Sequence, residues 1–340
     1  MTTRRNFVRW IGAAATAQAW GDAKKPIIRT VLKDLPPEAL AGGAILFHEH
    51  MSLDPDFMPK WIARARSMPL PPPSTQPYFM RDPELMAGEM AAAAKDGVAC
   101  IVDQGHPDMG RDLEFLKQIS QASGMPIVAA CGYYAQPFYP PEIAKWSESQ
   151  IAHELIREAK TLPIGVIGEI GTWDVMTADE RKVFRAVAKT HLATNLAIVT
   201  HTNFGKGALE QLDLLQSAGV KPERVAIGHV GGLNEPTFET VKAIAQRGAY
   251  VGIDRQGGPG DVAQVRMVLA LLQAGYVDRL LFSSDFSLGG PLLKRNGGSG
   301  YAKTLTVFVP KLREAGVGED ILHRILVDNP RRLLAFVPKH

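Results

Sequence analysis

From residue 43 onward the chain repeats one unit. An apolar, β-branched-rich run of five to eight residues ends in polar residues or glycine, and a stretch with helical spacing follows. The runs cover 44–50, 99–104, 126–133, 164–170, 197–202, 225–230, 250–254 and 279–285. Between them, 83–96, 111–123, 142–162, 178–194, 207–218, 235–247 and 261–274 carry apolar residues at helical spacing. Asp82 is placed to cap the first of these helices, with Pro83 at its first position. Near-continuous apolar strands alternating with helices predict a parallel sheet covered on both faces. Eight such units in succession predict closure into a single (β/α)8 TIM barrel of the α/β class, with additional C-terminal helices at 301–315 and 318–337.

Two irregular segments interrupt the rhythm. Residues 52–81 hold six prolines beyond Pro55 and predict an extended first loop, and 289–300 holds five glycines and predicts a mobile loop after the eighth strand. Both follow strands, so both belong on the face where barrel enzymes carry out chemistry.

The polar residues that close the runs point to a site. In Phe47-His48-Glu49-His50, strand alternation turns His48 and His50 to one side and Glu49 to the other. Glu169 sits inside the otherwise apolar fourth run, where a carboxylate is costly unless it is paired or binds a cation. His201, His229 and Asp285 close the fifth, sixth and eighth runs. Four of the nine histidines thus fall at strand ends; His153, His191 and His323 fall in helical patterns and read as surface residues, and His106 has no assignable role. Imidazole and carboxylate donors without thiolate suit zinc, manganese, cobalt or iron. Six donors exceed what one catalytic zinc uses, so two divalent metals sharing a carboxylate are expected.

Composition narrows the class. Hydrophobic residues at 46% and charged ones at 21% are ordinary for a globular enzyme. A formal charge of +3 from scattered residues gives no reason to expect nucleic acid, and no apolar run is long enough for a membrane span. Cys100 and Cys131 lie in apolar runs and read as buried thiols. Residues 1–25 read as an export signal and linker, and 26–340 as the barrel domain. Arg4-Arg5 precedes a small-residue stretch that closes on Ala17-Gln18-Ala19, similar to a twin-arginine signal, which implies a periplasmic or otherwise exported protein. Cleavage after Ala19 would take the formal charge from +3 to zero, so the basicity says nothing about a partner.

FHEHMSLD, CGYYAQP, IGEIGT, VTHTN, AIGHVGG, VGIDRQG, SSDFS and the C-terminal GYAKTLTVFVPKLREAGV and ILVDNPRRLL occur in order, each at the expected strand or helix. With these pieces the chain resembles the phosphotriesterase family of the amidohydrolase superfamily, from about His48 to Leu334. The resemblance implies that His48, His50 and Asp285 hold the more buried metal, and His201 and His229 the more exposed one. The best-known members bridge the metals with a carboxylated lysine; the aligned residue here is Glu169, as in a glutamate-bridged branch.

The chemistry expected is hydrolysis of an ester-type bond by a hydroxide between two divalent ions, Zn2+ first, with Mn2+, Co2+ or Fe2+ as the others. Asp285, as ligand and base, would pass the proton to the leaving group. Arg255 is expected to orient a substrate oxygen, with a salt bridge to Asp254 or another rim acid as the alternative; of Tyr133 and Tyr134 one phenol is expected in the pocket, Tyr133 first, and the other in the wall. Relatives with an Asp-Arg pair here include lactonases, so the partner expected is a small lactone or other carboxylic ester. A phosphotriester, or an exported barrel that binds metal without catalysis, remain alternatives, and a homodimer is left open. No interior lysine or phosphate-binding loop supports a barrel aldolase or lyase, and no G-x-S-x-G elbow supports a serine hydrolase.

Overall fold

The computed structural model describes residues 25–72 and 77–339, so the segment 1–24, on which the expectation of an export signal rests, lies outside the described residues. A short antiparallel pair, β1 (Ile28–Arg29) and β2 (Asp34–Leu35), precedes the repeating units and was not predicted. Eight parallel strands then form one sheet: β3 (Ala44–Glu49), β4 (Val98–Asp103), β5 (Ile127–Cys131), β6 (Ile164–Gly171), β7 (Ile198–His201), β8 (Val225–Ile227), β9 (Tyr250–Ile253) and β10 (Leu280–Phe282). Each pairs with the next in sequence. The ends meet where Asp285 N donates to His48 O at 3.2 Å and His50 N donates to Phe286 O at 3.3 Å, which makes the sheet a barrel. The (β/α)8 architecture read from the eight runs is the one observed.

Two apolar clusters account for the core. Ile45, Phe47, Val102, Val128, Val166, Val199, Ala226 and Leu281 belong to the one that fills the barrel, with Ile28, Leu40 and Leu333 at its floor. The larger cluster joins the outer strand faces, such as Leu46 and Ile101, to the helices. Capping follows the sequence: Asp82 accepts from Leu85 N at 3.0 Å, and Thr177 and Glu180 form a reciprocal capping box at the start of the helix Ala178–Thr194.

Several elements depart from the prediction, each for a local reason. The extended first loop contains a helix, Phe57–Ala65, which lies over the site. The stretch 142–162 is two helices, because Ser147 starts a new one with its own capping box. The glycine-rich loop is tied down rather than left loose: the buried Glu89 carboxylate accepts from Lys294 N at 2.8 Å and Arg295 N at 3.0 Å. The two C-terminal helices each contain a π-helical turn, Thr304–Phe308 and Arg324–Asp328, just ahead of Pro310 and Pro330. A proline cannot donate to the carbonyl four residues back and its ring crowds that carbonyl, so the preceding turn widens.

Candidate metal centre

Two strands that carry site residues break step with their neighbours. Along β3, Ile45 and Phe47 point into the barrel, so plain alternation would send His48 outward. The pairing with β4 shifts between Leu46 and Glu49, and the extra residue turns His48 inward beside Phe47, their rings 5.8 Å apart. The β6–β7 pairing shifts likewise between Ile167 and Ile170, so Val166 and Glu169 both face inward although three residues apart. Such bulges re-aim side chains next to sites. At Gly168 a Cβ would come within 2.6 Å of Gln104 Oε1 and 2.7 Å of Val199 O, so only glycine lets β6 bend here.

Six side chains converge. Glu169 Oε2 lies 2.8 Å from His201 Nδ1, 3.1 Å from His229 Nε2 and 3.3 Å from His48 Nε2, while Oε1 lies 3.2 Å from His50 Nε2. Asp285 Oδ1 lies 3.2 Å from His50 Nε2. The two carboxylate oxygens of Glu169 thus face different imidazoles, the arrangement a bridging ligand needs. His229, Arg255 and Asp285 all take left-handed backbone conformations, with φ of 59°, 59° and 52°. Strain of this kind collects at functional sites.

The donor set fits divalent cations. Both ring nitrogens of His48 and Nδ1 of His50 are buried without a hydrogen-bond partner, which native interiors rarely tolerate. The ligand atoms of His48, Glu169 and His229, and those of His48, His50 and Asp285, lie within 4.8 Å of one another in each group. His201 stands one step out of these groups, against Glu169 and the Tyr134 hydroxyl. Charge gives the same answer. Burial alone would raise Glu169, yet His48, His201 and His229 hold it well below the usual carboxylate range. Burial opposes a charge on His50, but Asp285 and Glu169 push it up to about 10. Asp285, partly buried, is held low as well by Arg255 and His229, so two ionised carboxylates call for positive charge, which metal ions supply without protonating the imidazoles.

Around the cluster lie residues that hold it. Asp254 Oδ1 lies 2.8 Å from His229 Nδ1, and Oδ2 accepts the His229 backbone N–H at 3.0 Å. Glu49, the residue between the two first-strand histidines, is fully buried. It accepts from Ser283 Oγ and Ser284 N, both at 2.7 Å, from Ser284 Oγ at 2.9 Å and from Phe286 N at 2.7 Å. It therefore fixes the turn that carries Asp285. His106 Nε2 lies 3.0 Å from Glu169 O, and its other nitrogen meets Asp108. Sequence reasoning missed these roles. Asp254 was within reach of the strand-end rule that found the others; the remaining two depend on packing that no periodicity encodes.

A cavity of about 260 Å³ opens onto His50, Glu169 and Asp285. Arg255 Nε donates to Asp285 Oδ2 at 2.8 Å, and its guanidinium lies 5.7 Å from the Trp61 ring and 5.5 Å from Phe204. Of the rim acids it is Asp285, not Asp254, that takes the salt bridge. The tyrosine that lines the cavity is Tyr134, with its hydroxyl 3.0 Å from His201 Nε2 and accepting from Trp61 Nε1 at 2.8 Å. Tyr133, expected in that place, packs against Tyr139 on the other side. β5 ends at Cys131, so strand alternation no longer decides which of the two faces the pocket.

A sequence model of the phosphotriesterase family matches residues 28–334. The chain is 34% identical over 252 residues to the phosphotriesterase homology protein of Escherichia coli (strain K12), covering 71% of this chain and 85% of that protein. It is 28% identical over 357 residues to the N-acetyltaurine hydrolase of Rattus norvegicus, covering 91% and 98%. Among solved structures, the Escherichia coli phosphotriesterase homology protein complexed with phosphate in its active site superposes with a TM-score of 0.75 at 30% identity, covering 86% of this chain and 99% of that one. A resiniferatoxin-binding protein from Rhodobacter sphaeroides gives 0.80 at 30% identity, covering 91% and 94%. The match from 28 to 334 takes in every barrel strand and the whole cluster, and the chain belongs to the phosphotriesterase family, whose members are binuclear metal-dependent hydrolases.

Proposed function

We propose that the protein hydrolyses a small carboxylic ester, a lactone first among them, at this cavity. The observation that carries the reading is the Asp285–Arg255 pair: one carboxylate faces both the imidazole cluster and a guanidinium on the wall of an accessible cavity. When bound at His48, His50, Glu169, His201, His229 and Asp285, a divalent pair, zinc first, supplies Lewis acidity toward a carbonyl oxygen and makes water nucleophilic at neutral pH.

The chain's own residues do the rest. Asp285 presents Oδ1 to His50 and keeps Oδ2 beside Arg255 Nε, where it takes the proton of the attacking water and returns it to the leaving oxygen. Burial works against its charge, but Arg255, His229 and His50 hold it well below the usual carboxylate range, so the proton is passed on rather than kept. Arg255 orients the acyl oxygen. Burial keeps the Tyr134 phenol protonated as a donor beside His201. Phe57, Met58, Trp61, Phe204 and Leu288 form the apolar wall that holds the substrate body and sheds water.

An amide is the second reading, supported by relatives named N-acetyltaurine hydrolases that align along nearly their whole length. A panel of a δ-lactone, an aryl ester, an N-acetyl amide and a phosphotriester, assayed with zinc-loaded protein, tests both. The lactone or ester should exceed the others in kcat/KM by about tenfold or more. A best rate on the amide replaces the first reading with the second, and no turnover of any leaves a barrel that binds metal only. Export by residues 1–25 belongs to the same proposal, and a chain with Arg4 and Arg5 both changed to Lys that still reaches the periplasm would refute it.

A further inference from the structure

The cavity wall carries a second cation that the hydrolytic chemistry does not use. Lys303 lines the same cavity as Arg255 and Asp285. It immediately precedes the π-helical turn Thr304–Phe308, and that turn is pinned to the loop after β9: Thr304 Oγ1 donates to Gln256 Oε1 at 2.9 Å, and Gln256 Nε2 donates to Ile253 O at 2.8 Å. The lysine stem then lies on Gly257, where φ is +88°; a Cβ there would collide with Lys303 Cε and come 3.2 Å from Nζ. The ammonium is therefore held against Gly257, two positions beyond Arg255, and both cations line the same cavity.

Nearby lysines on this part of the chain have acidic partners: Lys294 pairs with Asp96 at 2.7 Å and Lys311 with Asp261. Lys303 has none among the described residues. The carboxylates on the cavity wall are Glu169 and Asp285, and both are committed, one to the imidazoles and the other to Arg255 and His50. A half-buried ammonium beside an apolar wall, in a cleft whose acids are already neutralised, favours a ligand that brings its own negative charge.

We propose that Lys303 reads an anionic group of the substrate, a carboxylate, sulfonate or phosphate carried a few bonds from the scissile bond. This rests on the hydrolytic reading for the word substrate, but the charge preference is a binding property and is measured separately. The test is titration calorimetry of the zinc-loaded full chain with four probes that share a butyrate carboxylate: glutarate, 4-sulfobutyrate, 4-phosphonobutyrate and the neutral-tailed glutaramate. The native protein should bind at least one charged tail about tenfold or more tightly than glutaramate, the usual scale of a charge-assisted contact. The tail with the largest ratio names the anion. Lys303→Met keeps the stem over Gly257 and should reduce that ratio to about twofold or less, while Lys303→Arg should retain most of it. Equal affinity for all four probes in the native protein overturns the proposal, and so does an undiminished ratio in Lys303→Met; should that variant not fold, Lys303→Gln is read in the same way. If the charge preference stands while the lactone and ester panel fails, the hydrolytic reading falls and the charge reading holds. If the panel succeeds and the preference is absent, the reverse is true.

Discussion

Asp254 grips His229 twice, with Oδ1 2.8 Å from the ring Nδ1 and Oδ2 accepting the backbone N–H at 3.0 Å. The double contact fixes both the tautomer of the ring and the left-handed turn on which it sits, leaving Nε2 directed at Glu169. A histidine oriented in this way by a carboxylate is a better metal donor than a free one. Asp254→Asn should therefore lower affinity for divalent metal by about 10–100-fold. Competition with a chromogenic chelator, with a melting curve on the same preparation, checks this. Native affinity in the folded variant would reduce Asp254 to a packing role.

Asp285 carries two assigned duties, donor to the cluster and proton acceptor. Asp285→Asn preserves size and one oxygen but removes the basic site. With metal still bound, kcat should fall by about 10²–10⁴, the usual contribution of a positioned general base. KM should move much less, because Arg255 and the apolar wall still hold the substrate. Near-native kcat at full metal occupancy would take Asp285 out of the proton path.

His191 offers a test on stability that is independent of the site. It is buried in the helix Ala178–Thr194, with Nδ1 2.7 Å from Leu196 O, and burial is the main reason its pKa is lowered. Above the unfolded value near 6.5 neither state holds the proton, and the contribution of the neutral ring is fully present. As pH falls below that value the unfolded chain takes up a proton that the folded ring resists, so this contribution is lost. Melting temperatures of the native chain and His191→Gln, compared between pH 7.5 and 5, should converge as the pH drops. A gap that stays constant or widens would mean that His191 is charged in the fold.

How much of this was legible in the sequence depends on what each residue's position was read from. The strands were legible because both of their faces are covered, so each run is apolar almost throughout, as 164–170 and 197–202 show. The six polar residues at five strand ends were legible for the complementary reason: charge or imidazole at the mouth of a dry barrel stands out against Val and Ile. Alternation, however, does not explain why His48 and Glu169 face inward. Bulges in β3 and β6 do that, and a bulge is a property of strand pairing, invisible in one strand's own pattern. The same limit applies to Tyr133 and Tyr134, which lie beyond the end of β5. His191 was read as a surface residue because it falls in a helical pattern, and only the neighbouring chain reversal at Asn195 brings Leu196 O to its ring. Glu89, which ties down the glycine-rich loop across more than 200 positions, left no local trace at all.

Glu169 is placed to join two metal ions that four imidazoles and Asp285 would hold, and metal content measured beside activity tests this most directly. Elemental analysis of active, extensively dialysed protein should find about two equivalents of divalent metal per chain, and both metal and hydrolysis should disappear together under chelation and return on reloading. Active protein that holds one equivalent or none, or that keeps its activity after complete removal of metal, would contradict the account.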